Sequence, residues 1–545
     1  MKFIYIVVSL FISNSLIAQK IGYEWIKAIK NTSEIVSAID NENNILIAGS
    51  YSGTLTIDGV SINSEGVQKN TFLAKLTKEG DLVWLINDTI NYTCAITVDK
   101  YNNIYLTGTN QKYTSNGNYT FNVVSYIYLA KFDSFGNRRW VITTNEQTIN
   151  NSIGNRGNEV TSIAVDTSGF VYITGSYYDT ISFDTLVLYD NNLSAIFITK
   201  FDSLGTPVWA RRIFGANSND ASGKGNDIIV DNNNFVYVTG YFWSSSCLFG
   251  DTLIHCNGID DIFLTKLDEN GVFLKTISLG GVNSDEGCRL AVDKNNGLIL
   301  MAKFSDTISI NGNIYYSENY SNNVIIIKFI NDAIVFATQI GTSNGGAING
   351  DICLDKSQNI IYTGAVQYQS LSLFYPLFPM IYRINNSGSI DWKYMIAQGT
   401  VFENPKSMSH TLNTDADGEI YVTGTFVDSV YFGDSLFVTD TNYTYAFIGK
   451  IDTTMNFGAS IFDINYLFAI SVFPSLTNGP IYILSHKLNL ENSEVNIYNT
   501  SGVLMKRVYL SSNSSIINIS DLKSGFYIIN IYKNGFNGCY KIMKY

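Results

Sequence analysis

An aspartate recurs along this chain at a spacing that leaves little freedom for the fold. It stands at Asp40, Asp99, Asp166, Asp231, Asp293, Asp355 and Asp415, with gaps of 59, 67, 65, 62, 62 and 60 residues. Nine positions after each comes Gly49, Gly108, Gly175, Gly240, Ala302, Gly364 or Gly424. Between them lies an alternating apolar run: NILIAG, NIYLTG, FVYITG, FVYVTG, LILMAK, IIYTGA, EIYVTG. A basic residue follows in every copy: Lys75, Lys131, Lys200, Lys266, Lys328, Arg383 and Lys450. Nine residues beyond it stand Trp84, Trp140, Trp209, Lys275, Ala337, Trp392 and Ala459. A period of this length means one supersecondary unit used seven times.

Each unit reads as four short strands. In the third copy, strand a is SIAVD, b is VYITG, c is IFITKF and d is PVWARRI. Period-2 alternation with β-branched and aromatic residues supports strands throughout. Seven sets of four predict an all-β fold: a seven-bladed β-propeller of four-stranded blades, whose ring removes long exposed edges. Trp25 is a spare copy of the d element placed before the first unit. Either it or Gly458–Phe462 completes the seventh blade, and Trp25–Ile29 is favoured because it keeps the tryptophan.

The string GFVYITGSY…SFDTLVL…IFITKFDSLGTPVW resembles the SBBP-type propeller repeats of exported bacterial proteins, over about Trp25–Ile464. The resemblance implies fold and leaves function open, since propellers host many activities. After the repeats, FPSLTNGPIYIL, EVNIYNTSGVLMKRVYL and INISDLKSGFYIINI read as the short strands of a small β-sandwich. This part closely resembles the type A C-terminal sorting domain of the type IX secretion system of Bacteroidetes, although Val472-Phe473-Pro474-Ser475 departs from the usual opening. That resemblance implies passage across the outer membrane, with the secretion machinery as partner. It is an address read by a receptor, not an activity. At the other end, Met1-Lys2, the apolar Phe3–Ile12 and Ser13–Ala18 form a signal-peptide pattern. The expected divisions are a signal peptide at 1–18, a propeller at 19–464, a linker at 465–471 and a sorting domain at 472–545. The product is secreted or held at the outer-membrane surface, as a monomer.

Charge and chemistry narrow the function. The net charge of −12 argues against nucleic acid as a partner. No run after the leader is apolar and long enough to be a transmembrane segment. The marker aspartates open tight turns such as DTSG and DNNN, which suits Asx turns; Asp415-Ala416-Asp417-Gly418 comes nearest to a calcium loop but lacks the downstream ligands. The ring of lysines reads as local ion pairs with the Asp two residues on, as in KFD and KLD. With three His, no HExxH, no CxxC, no GxSxG and no P-loop, no metal site, cofactor or catalytic residue is assigned. Whether the protein is an enzyme is left uncertain, with the balance toward not. Cys247 and Cys256 flank a hairpin and are a possible disulfide, while Cys94, Cys288 and Cys353 read as buried thiols.

The spacing also separates two faces. The a–b and c–d turns are uniform, whereas the b–c and d–a connections vary, the longest being Thr143–Glu159, Gly215–Asp227 and Gln398–Met408. Variable loops over a rigid scaffold are where binding sits. On that edge stand the aromatic candidates Tyr177, Tyr178, Tyr241, Phe242 and Trp243. The acids Asp220, Asp227, Asp285, Glu286, Asp351 and Glu403 lie there too. The leading expectation is a non-catalytic binding or adhesion module for a glycan or protein. The alternatives are a secreted polysaccharide-degrading enzyme with acids at the channel mouth and a structural component of a surface assembly.

Overall fold

The computed structural model describes residues 22–452 and 470–544, apart from short stretches at 65–68, 89–91, 116–120, 150–156, 217–221, 318–321, 342–346, 368–376, 400–407, 428, 434, 440–443, 474–475, 478, 486–488, 500–501, 513 and 534–535. Among the described residues every regular element is a β-strand, so the protein is all-β as expected. One compact unit comprises Lys20–Gln369 and Phe374–Gly458; a second holds Ala459–Tyr545.

The repeats form seven antiparallel sheets with a common a-b-c-d order. In the third, the strands are Glu159–Val165, Val171–Phe183, Leu186–Phe201 and Pro207–Gly215. Each a strand packs against the a strand of the next sheet, and the first, Thr32–Ile39, packs against the last, Met408–Thr414. The seventh sheet takes its outer strand from the other end of the repeats. Tyr23–Ile29 pairs with Tyr445–Ile451, with Trp25 opposite Lys450. This is the position that Trp84, Trp140, Trp209 and Trp392 hold opposite Lys75, Lys131, Lys200 and Arg383. The fifth sheet departs from the expected nine-residue spacing. Its c–d turn is a tight Asn331-Asp332 turn with both φ positive, so Lys328 faces Phe336, not Ala337.

The marker aspartate builds the a–b turn. Its Oδ1 accepts the N–H two and four residues on, as Asp166 does from Ser168 (2.8 Å) and Phe170 (2.9 Å). The third residue after it has positive φ, which is why Asn43, Asn102, Gly169, Asn234, Asn296 and Gly418 stand there. The Asp of KFD and KLD does the same for the c–d turn: Asp202 Oδ1 accepts from Leu204 and Thr206 at 2.9 and 2.8 Å. That corrects the expected local ion pair with the ring lysine. The repeat glycine has a separate cause. A Cβ on Gly175 would lie 2.0 Å from the Glu159 carbonyl oxygen of the bulged a strand.

The residue six after the marker sets whether the ring cation pairs with the marker carboxylate. Where it is Tyr105, Tyr172, Tyr237 or Tyr421, its hydroxyl donates to marker Oδ2 at 3.0–3.3 Å. Lys131 and Lys200 then donate to Ser203 O and Glu269 O of the following sheet. Where it is Leu46, Ile299 or Ile361, the cation takes the carboxylate: Lys75–Asp40 at 2.7 Å, Lys328–Asp293 at 2.9 Å and Arg383–Asp355 at 2.8 Å. For Asp293, burial alone would raise the carboxyl, but Lys328 and two backbone N–H donors outweigh it and hold it below its usual range.

Each b–c connection whose residues are described carries a hairpin. Examples are Thr54–Ile57 with Val60–Asn63, Ser246–Phe249 with Thr252–His255, and Thr307–Ile310 with Asn313–Tyr316. Asp58-Gly59 and Asn311-Gly312 turn with both φ positive, the geometry that matches strand twist. The hairpins cover an aromatic eleven residues after the marker.

In the C-terminal unit, Ile470–Phe473, Pro480–Ser485 and Ser514–Asn518 form one sheet. Leu476–Thr477, Phe536–Lys544, Gly525–Lys533, Glu494–Asn499 and Leu504–Tyr509 form another. Ile481, Ile483, Val495, Ile497, Ile529 and Ile531 share a single apolar cluster between them.

The partner rule predicts unequal costs for two equivalent substitutions. Lys328→Met strands the buried Asp293 carboxylate and costs about 3–5 kcal/mol, as for breaking a buried pair. Lys200→Met leaves Asp166 bound to Tyr172 and costs about 1 kcal/mol. Denaturant midpoints of the two variants check this, and equal losses would contradict it.

Candidate functional site

In the third to seventh copies, side chains four residues before the marker brace one sheet to the next. Ser162 Oγ donates to Asp227 Oδ1 at 2.5 Å, and Asp227 Oδ2 accepts the Leu290 N–H at 2.7 Å. Arg289 Nε lies 3.5 Å from Asp351 Oδ1, and Asp351 Oδ2 accepts the Leu412 N–H at 2.9 Å. Thr411 and Ser37 hydroxyls meet at 2.5 Å, joining the last sheet to the first. Burial pushes the Asp351 carboxyl up to about 6 and raises Asp227 as well, each offset in part by Arg289. Both oxygens of each carboxylate are held by neighbouring donors. The two acids therefore act as struts, with no free oxygen directed at a substrate.

Toward the variable face, the same strands carry charges of both signs. Lys224 Nζ is 2.6 Å from Glu159, Asn226 donates to Glu286 at 2.9 Å, and Lys303 is 2.5 Å from Glu286. Lys224 sits directly across the a–b pair from Tyr241. Tyr241 packs on Trp243 with ring centroids 5.6 Å apart and planes at 44°. Trp243 is 40% exposed. The result is an aromatic pair beside a belt of hydrogen-bonding charges.

Of the expected aromatic set, Trp243 is exposed with Tyr241 half-buried beside it, and two others are corrected. Tyr177 and Phe242 are fully buried, at the position eleven after the marker that Tyr51, Phe304 and Phe426 occupy in other sheets. Side chains alternate along a strand, so in each adjacent aromatic pair one member faces inward, beneath the b–c hairpin. Phe242 packs against Phe249 of its hairpin at 6.1 Å. Tyr178 is half-buried, on the third sheet. The expected disulfide is also corrected. Cys247 and Cys256 are both thiols, because Cys247 pairs with Ile254, two residues short of Cys256. Cys94 and Cys353 are half-buried and Cys288 buried; burial pushes the thiols of Cys94 and Cys288 up to about 11 and about 12. Asp220, Glu403 and parts of all three long loops lie outside the described residues. Sequence reasoning missed Glu159, Lys224, Arg289 and Lys303. Their signal was register: they fill places seven and four before the marker and ten after it, where the copies disagree.

Asp285 is fully buried, with Oδ2 accepting the Gly281 N–H at 2.6 Å and Oδ1 the Ser305 N–H at 3.1 Å. Burial, with Asp261 and Asp260 nearby, pushes its carboxyl up to about 7. Burial also lifts Asp190 to about 6 against the pull of Arg212. Among the described residues no group of His, Cys, Asp and Glu has a metal-holding arrangement.

A carboxyl raised in the folded state is protonated there while its unfolded counterpart is already ionised. It costs nothing below an unfolded value of about 4 and weakens the fold as pH rises toward the folded value. This contribution to stability therefore falls between about pH 4 and about pH 7, and Asp285→Asn flattens that slope. Thermal denaturation across the range checks this; an identical slope in the variant would contradict it.

Comparison with known proteins assigns one part of the chain directly. Residues 471–544 match the family described as the Secretion system C-terminal sorting domain. The protein is thus a secreted or cell-surface protein whose tail engages the type IX secretion machinery. No helix among the described residues is long and apolar enough to cross a membrane. An uncharacterized WD repeat-containing protein of Acanthamoeba polyphaga mimivirus is 25% identical over 228 residues, which is 37% of this chain and 15% of that protein. Among solved structures, the Dos1 propeller is 11% identical with a TM-score of 0.35, covering 79% of this chain and 93% of its own. Polysaccharide lyase Uly1 is 10% identical with a TM-score of 0.35, covering 77% and 90%. PorZ, a surface component of the type-IX secretion system of Porphyromonas gingivalis, is 8% identical with a TM-score of 0.15, covering 95% and 100%. At these values none of them assigns a role to a residue here.

Proposed function

We propose that this is an exported SBBP-type seven-bladed β-propeller that binds glycans non-catalytically at the mouth of its channel. In this reading residues 1–18 are a signal peptide, 19–464 the propeller closed by its N-terminal strand, 465–471 a linker and 472–545 a β-sandwich sorting domain. The seven four-stranded sheets and the packing of the first a strand on the last support the ring. The observation that carries the binding role is the Tyr241–Trp243 pair, half-buried and exposed respectively, beside the Glu159–Lys224 and Glu286–Lys303 ion pairs. Aromatic faces take the apolar side of a sugar ring, and flanking carboxylates, amides and ammonium groups take its hydroxyls. The engaged oxygens of Asp227 and Asp351 favour binding over hydrolysis.

A glycan array probed with the secreted protein identifies the ligand, and calorimetry then compares variants. Trp243→Ala is expected to weaken binding about tenfold, or about 1.4 kcal/mol, with thermal stability unchanged. A blank array, or full affinity in the variant, would overturn the reading.

A further inference from the structure

The repeat seats an aromatic ring at each sheet junction, and one junction lacks it. Trp25, Trp84, Trp140 and Trp209 each donate their indole N–H to a carbonyl of the next sheet's c–d turn, Lys78, Ser134, Ser203 and Glu269, at 3.0–3.3 Å. The glycine of that turn lies against the ring. A Cβ on Gly80 or Gly271 would come within 2.8 Å of the indole, and one on Gly388 within 2.7 Å of Phe336. Between the fourth and fifth sheets both halves of this contact are missing. Lys275 replaces the aromatic opposite Lys266, and the tight Asn331-Asp332 turn brings no glycine.

The wall that would receive the ring is still present. In the third sheet Phe170, Tyr172 and Lys200 surround Trp209: Lys200 sits 4.1 Å above Phe170, and Trp209 meets Tyr172 at 6.0 Å and 60°. In the fourth sheet Phe235, Tyr237 and Lys266 repeat that arrangement, with Lys266 4.1 Å above Phe235. Where the indole would lie there is a cavity of about 350 Å³, lined by these residues with Lys275 and Asp332. A cavity of this size with one intact aromatic wall admits a planar ring. Lys266 and Lys275 each lie 3.9 Å from Asp332, and Asp231 also lines the cavity, so two carboxylates face two ammonium groups and the site favours a neutral ligand. Asp332 supplies acceptors where the other junctions offer a carbonyl to the indole N–H.

We infer that the junction between the fourth and fifth sheets is a binding site for a neutral indole-type ring that bears an N–H donor. It lies on the face of the uniform turns, opposite the proposed glycan site, and does not depend on it. The ring has two sources, a free aromatic metabolite or the tryptophan side chain of another chain.

The test titrates indole and N-acetyltryptophanamide into the secreted protein and into Lys275→Trp, which restores the repeat. Saturable binding of either probe to the natural protein, abolished in Lys275→Trp while its melting temperature rises, supports the site. Tighter indole marks the free molecule, and tighter amide marks a side chain. Absence of saturable binding by either probe at millimolar concentration, or binding unchanged by Lys275→Trp, would overturn it. If Lys275→Trp misfolds, Tyr237→Ala serves in its place, with loss of binding expected and retention contradicting the site.

Discussion

The indole of Trp25, Trp84, Trp140 and Trp209, seated on the turn of the next sheet, is the contact on which the repeat unit depends. An outer strand has a neighbour on one side only within its own sheet. Its tryptophan gives it a second attachment through a hydrogen bond and a ring face against glycine. Glycine is required there for two reasons: φ is positive, and any Cβ would enter the ring. Trp25 makes the same contact for a strand borrowed from before the first repeat. The two ends of the repeats are thereby held by the same device that Trp84, Trp140 and Trp209 provide at the first three internal junctions.

Carboxylates serve this architecture as turn formers before anything else. One oxygen of each marker aspartate closes the a–b turn, and the other is left for a tyrosine or a lysine. Because a tyrosine on the b strand takes that oxygen locally, Lys131 and Lys200 reach the following sheet, while Lys450 pairs with Glu24 and Glu419. Copies with leucine or isoleucine there gain an ion pair with the marker, and Lys328 also reaches Asn386 of the following sheet. Near the a-strand edges, Asp227 and Asp351 are spent on backbone N–H groups of the neighbouring sheet. Burial raises both carboxyls above their usual range.

Much of this was legible in the letters. The Asp-to-Gly interval located every a–b pair, and Trp25 was recognisable as the seventh outer strand because it kept the tryptophan. The tail was legible from INISDLKSGFYIINI. What was not legible depended on the partner across the strand. Asp58-Gly59 and Asn311-Gly312 are hairpin signals, and without weighing them the aromatic at marker plus eleven looked exposed. Tyr177 and Phe242 therefore read as ligand contacts when they are the floor beneath a hairpin. The shortened turn at Asn331-Asp332 hid Phe336 behind an assumed nine-residue count. Lys224 and Glu159 belong to different copies, and only folding brings them to 2.6 Å.

The two faces follow from this division of labour. Uniform turns carry the Asx bonds and ring contacts, leaving the opposite edge free to differ between copies, where Tyr241, Trp243 and the charged belt stand. The whole account requires that the strand before the first repeat be part of the last sheet. Hydrogen exchange of the backbone amides measures this directly. Tyr23–Ile29 should be protected to the same degree as its partner strand Tyr445–Ile451. Exchange of Tyr23–Ile29 at the rate of a frayed terminus, with Tyr445–Ile451 still protected, would contradict it.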